Sequence, residues 1–86
     1  MPSYLIETYL ARVQAGERGA HERRARSAAG ELTRVRFDYS IHVPEDETCF
    51  YVFEAPSARA AERAAKRAGL DPLRVVEAVS SEREEE

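Results

Sequence analysis

The chain has no tryptophan, one cysteine, one methionine and one lysine among its 86 residues. A single cysteine cannot close an internal disulfide, which points to a reducing compartment, and the cytoplasm is the expected location. His21, His42 and Cys49 are the only soft or borderline metal ligands. None falls in a His-x-x-x-His or Cys-x-x-Cys spacing, so spacing alone supplies no metal motif. No apolar run reaches the roughly 20 residues of a membrane-spanning helix. No charged start precedes an apolar stretch, so a secretory leader is not expected. The net charge of −3 weighs against a nucleic-acid backbone as partner, because such binding needs a concentrated positive field. With one lysine, 12 of the 13 basic residues are arginine, many of them beside alanine. Solvated helix faces account for most of these; recognition of phosphate by arginine is the sharper reading.

Hydrophobic residues make up 43% of the chain and charged residues 34%, as in a folded soluble domain. We expect one domain over residues 1–80 and an acidic, disordered tail over 81–86. A chain this short buries a modest share of its surface, and a second copy is expected to complete the core.

Ser3 to Leu10 is rich in β-branched and aromatic residues and reads as a strand. Gly16 and Gly19 mark a loop. A helix is expected from Glu17 or Arg18 to Leu32 on Ala/Arg/Glu propensity, with a weak stripe of small residues. From Arg34 to Val43 the pattern alternates, with Val35, Phe37, Tyr39, Ile41 and Val43 on one side and Arg34, Arg36, Asp38, Ser40 and His42 on the other. Pro44 to Glu47 reads as a turn, and Thr48 to Phe53 or Glu54 as the returning strand of a hairpin. Ser57 is suited to cap a second helix, in which Ala58, Ala61, Ala65 and Ala68 share a face. Gly69 suits the position after its end. Val75 to Val79 is the last strand. The order βαββαβ predicts a ferredoxin-like α+β plait: a four-stranded antiparallel sheet, strands 1 and 3 central, both helices on one face.

In such a plait the second sheet face has no cover. With the apolar set of the second strand turned toward the helices, the open face would carry Leu5, Glu7, Tyr9, Cys49, Tyr51 and Phe53 beside Arg36, Asp38 and His42. An aromatic patch of this kind marks an interface. A homodimer with two sheets face to face, a dimeric α/β barrel, is the expected solution. A pocket between the sheets would use Glu7, Tyr51, Arg36, Asp38 and His42 as polar contacts to a small-molecule ligand. Cys49 and His42 flank one hairpin turn, but no oxyanion motif accompanies them, so nucleophilic catalysis has little support. RNA-recognition domains share the βαββαβ order. Their third strand needs a basic residue and glycines around its aromatics, whereas this chain has Glu47-Thr48-Cys49 and no glycine there.

Three segments carry a family resemblance. Tyr4-Leu5-Ile6-Glu7 looks like an opening Tyr-Leu-Val-Glu strand. Phe50-Tyr51-Val52-Phe53-Glu54-Ala55-Pro56 looks like a Phe-Cys-Val-Tyr-Glu-Ala-Pro strand and bend. Arg67-Ala68-Gly69-Leu70 followed by Val75-Val76-Glu77 looks like a final helix and strand. In these features the chain resembles the small bacterial nickel-binding proteins of ferredoxin-like fold, long catalogued as a domain of unknown function. The resemblance covers roughly Ser3 to Val79. It implies a dimer and binding of nickel or another divalent metal, with His21 at the family's helix-1 histidine. It also sets Tyr51 at the family's strand-3 cysteine and Ala64 at its last-helix histidine, which implies weakened metal binding. The reading is therefore a cytoplasmic, dimeric ligand- or metal-binding protein rather than an enzyme. The alternative is a small dimeric α/β-barrel enzyme acting on an apolar molecule, with Glu7 as base and Arg36 or Tyr51 orienting the substrate.

Overall fold

A computed structural model describes residues 1–79; the acidic tail expected over 81–86 lies outside them. The elements are β1 (Ser3–Tyr9), α1 (Arg18–Gly30), β2 (Arg36–Val43), β3 (Thr48–Glu54), α2 (Ala58–Arg67) and β4 (Arg74–Ala78). All strand pairs are antiparallel, in the order β2-β3-β1-β4. This is the ferredoxin-like α+β plait, with β1 and β3 central. The glycine-marked stretch before α1 is more ordered than a plain loop: Arg12–Glu17 forms a 3₁₀ segment. The first helix ends two residues before Leu32, where Glu31 and Leu32 donate to the carbonyls of Ala28 and Ala29 in a tightened last turn.

The bend from β3 into α2 is built by local chemistry. Ser57 is extended, and its hydroxyl accepts from the Ala60 amide at 3.1 Å, satisfying one free donor of the first turn. At the far end Gly69 takes φ +81°. Its amide bonds the Lys66 carbonyl, and the Leu70 amide bonds the Ala65 carbonyl, both at 3.0 Å. That pair is a Schellman closure, which favours glycine because the left-handed backbone crowds any Cβ.

The core is large on the sheet and small on the helices. Tyr4, Ile6, Phe37, Tyr51 and Phe53 from the strands meet Ala25, Ala28 and Ala29 of α1 and Ala61, Ala64 and Ala65 of α2, all buried. Alanine lets the helices lie close to the sheet, so the strand aromatics fill the interior between them. Phe37 packs edge-on against Phe53 with ring centres 5.4 Å apart, and the Arg26 guanidinium lies 5.1 Å from its ring centre.

The expected alternation of β2 is broken. A β-bulge lies between Phe37 and Tyr39: Phe37 pairs with Phe53, but the next pair is Tyr39 with Val52. Asp38 is the extra residue, and every later side chain of β2 changes side. Ser40 and His42 join Phe37 on the helix-covered face; Tyr39, Ile41 and Val43 turn to the open one. The assignment of β3 is corrected as well. Ile6 pairs with Tyr51, Thr8 with Cys49 and Tyr4 with Phe53, so Cys49, Tyr51 and Phe53 lie under the helices. Val52 is on the open face, opposite Leu5.

Candidate functional site

The residues proposed as one open-face pocket occupy separate places. Glu7 pairs with Phe50 on one side and Arg74 on the other, on the open face. Arg36 shares that face but pairs with Glu54, four residues further along β3, about 13 Å at strand rise. Its guanidinium bonds the Glu54 carboxylate at 2.8 Å and reaches Asp38 at 3.3 Å, which spans the bulge. Tyr51 and His42 are on the opposite side of the sheet. Glu7, Arg36 and Tyr51 therefore do not line one cavity.

A different cluster forms between α1 and the sheet. His21 sits early in α1, and its Nδ1 lies 3.1 Å from the Tyr51 hydroxyl. Its Nε2 is 3.9 Å from Glu17, one turn earlier. Next to His21 in the helix, Glu22 accepts a hydrogen bond from the Ser40 hydroxyl. On the same face Cys49 precedes Tyr51 by two strand positions and pairs with His42. The His42 Nε2 atom is buried and has no hydrogen-bond partner. Thr8 completes the floor and donates to the Cys49 carbonyl at 2.9 Å. His21 is thus joined to the sheet. Sequence reasoning missed Glu22 and Ser40. Asp38 was the available signal, because aspartate is disfavoured inside strands and invites a bulge.

Burial favours the neutral forms of Tyr51, Cys49 and His21. Burial pushes the Tyr51 phenol far above its ordinary range, reinforced by the Cys49 thiol beside it. Burial also raises the Cys49 thiol. His21 is lowered, first by burial and then by the positive charge of Arg24, against the opposing pull of Glu17. The bond between the Tyr51 hydroxyl and Nδ1 forms with either ring tautomer of a neutral His21: the phenol donates when the ring proton is on Nε2 and accepts when it is on Nδ1.

These groups do not make a ready metal centre. Among the described residues, no group of three or more His, Cys, Asp or Glu side chains could hold a metal ion. The His21 Nδ1 atom is already hydrogen-bonded to the Tyr51 hydroxyl. The thiol and the phenol both hold their protons against the deprotonation that metal ligation requires.

A family model described as "Nickel responsive protein SCO4226-like" matches residues 4–78. The chain belongs to the nickel-responsive SCO4226-like family. Its fold is also that of a solved family structure, the crystal structure of SCO4226 from Streptomyces coelicolor A3(2). The TM-score is 0.79 at 19% identity, over 92% of this chain and 98% of that one. No curated protein matches. Within this SCO4226-like chain, no helix among the described residues is long and apolar enough to cross a membrane.

Proposed function

We propose that this chain is a non-enzymatic, homodimeric binding member of the nickel-responsive family whose response to divalent metal is weakened. The observation that carries the reading is the hydrogen bond between Tyr51 and His21. Tyr51 stands where the family resemblance sets a cysteine, and a buried phenol is a poor substitute for a thiolate as a ligand to a borderline-soft ion. The same phenol occupies the one histidine that the resemblance retains. A metal arriving here must break that bond and gains little in exchange. The cytoplasm is the compartment we infer, since a buried free thiol suits reducing surroundings.

Calorimetric titration of the full chain with Ni²⁺ under reducing conditions tests this. No saturable heat is expected at protein concentrations of about tens of micromolar. Tyr51→Cys, which frees His21 and supplies a thiol, is expected to tighten binding at least about tenfold. Stoichiometric, submicromolar binding by the unaltered chain would overturn the weakened reading.

A further inference from the structure

The outward side of α2 is a stripe of positive charge. Its sequence holds three arginines, one lysine and a single glutamate. Ala61, Ala64 and Ala65 are buried on the sheet side, so Arg59, Arg63, Lys66 and Arg67, at i, i+4, i+7 and i+8, share the opposite side. All four are exposed, and with Glu62 they line a shallow hollow. Lys66 is paired with Glu62 at 3.6 Å and Arg67 with Glu31 at 2.7 Å. Arg59 and Arg63 have no acidic partner among the described residues. Neither helix exposes a large apolar side chain, so this surface suits neither a lipid interior nor an apolar partner. We propose that its occupant is the chain's own acidic segment, residues 82–86, whose carboxylates pair with Arg59 and Arg63.

Three features favour this segment. The first is charge: residues 82–86 hold four glutamates and one arginine, the complement of the stripe. The second is placement. Ala78 of β4 pairs with Ser3, and Ser3 pairs with Glu54, three residues before the Ser57 cap. The chain therefore leaves the sheet at the end where α2 begins, from the edge strand against which α2 packs. From Arg59 to Arg67 the helix rises about 12 Å, and seven residues beyond Val79 span up to roughly 24 Å, enough to run the length of the stripe. The third is the state of the other arginines. α1 packs against β2, at the far edge of the sheet. There Arg24 donates to the Ala68 carbonyl at 2.8 Å, and Arg26 lies over the Phe37 ring. Pairs on an exposed helix are individually weak. Tethering offsets this by holding the carboxylates near the stripe at a concentration on the order of millimolar. The segment then screens α2 from other anions.

Proton–nitrogen NMR of the full chain reads the proposal, comparing the unaltered protein with one carrying Glu82→Gln, Glu84→Gln, Glu85→Gln and Glu86→Gln together. At about 20 mM salt, where screening is slight, the side-chain signals of Arg59 and Arg63 should differ between the two, and the difference should be lost at about 0.5 M. The signals of Arg23 and Arg26 on α1 should stay in place. In the reverse direction, Arg59→Ala with Arg63→Ala should shift the signals of residues 82–86; both arginines are exposed, so the core is untouched. Arg59 and Arg63 signals that do not move at low salt overturn the proposal. A shift that fades on dilution at constant salt also overturns it, by assigning the contact to a neighbouring chain. So does equally tight binding of added hexaglutamate by the parent and the glutamine variant, which would leave the stripe open to a separate acidic partner.

Discussion

The Tyr51 hydroxyl and the Nδ1 of His21 lie 3.1 Å apart, tying the first turns of α1 to the middle of β3. The two residues are 30 positions apart in sequence, so the bond belongs to the tertiary fold and forms only when helix and sheet dock. That makes it a reporter of folding.

Stability should depend on pH through His21. Its folded-state value lies below the ordinary 6.5, so the unfolded chain binds that proton more readily. In the window just below 6.5, unfolding takes up a proton, and stability therefore rises with pH. The contribution is complete above 6.5 and is lost as pH falls through the folded-state value. Urea midpoints measured across pH 5 to 7.5 should show this slope, and His21→Gln should flatten it.

Removing the other partner should cost stability without touching the charge balance. Tyr51→Phe leaves the ring packed against Phe37, whose centre is 6.4 Å away, and deletes only the hydroxyl. A loss of about 1 kcal/mol is expected, because a part-buried imidazole nitrogen loses its hydrogen-bond partner. Equilibrium denaturation gives the value. An unchanged midpoint would mean that solvent replaces the bond fully.

The ends of α2 offer two local tests. Ser57→Ala removes the hydroxyl that accepts from Ala60 and should cost about 1 kcal/mol. Gly69→Ala forces a Cβ onto a backbone at φ +81° and should cost a similar amount, about 1 kcal/mol, from strain alone. The nearest atoms to that Cβ, on Arg24, are 3.7 Å away, so no clash adds to it. Both changes should lower the thermal midpoint.

The element order, the central strands, the Ser57 cap and the Gly69 stop were all legible in the sequence, because each rests on local chemistry within a few residues. The side of the sheet on which Tyr51 lies was not. Cys49-Phe50-Tyr51-Val52-Phe53 is apolar on both faces, so periodicity gives no direction. The alternation of β2 supplied one, and it misled. Val35 to Val43 alternates without a break in sequence, while the fold spends Asp38 as an unpaired residue. One extra position was enough to scatter the expected site of Glu7, Arg36, Asp38, His42 and Tyr51 over two faces. The same position brought Ser40 and Glu22 together, a pair that no spacing rule connects.

Cys49 should be inert in the native protein. It is fully buried, and burial raises its thiol away from the reactive thiolate form. Labelling with a disulfide reagent at neutral pH should be slow and should accelerate sharply in denaturant. Rapid labelling of the folded chain would show that the space under α1 opens on the timescale of the reaction, and would count against a closed cluster.

Deleting Asp38 tests the bulge most directly. If Asp38 were an ordinary strand residue, its removal would flip every side chain on one side of the deletion and unmake the core. The observed register predicts the opposite. With Asp38 gone, Phe37 still pairs with Phe53 and Tyr39 with Val52, now in regular alternation. Phe37, Ser40 and His42 stay beneath the helices, and Tyr39, Ile41 and Val43 stay on the open face. The shortened chain should therefore fold cooperatively, within about 1 kcal/mol of the parent by urea denaturation, and retain the bond between Ser40 and Glu22. The change should fall on local twist, since a bulge sharpens the twist of its strand. An unfolded product would show that the bulge is needed for more than register.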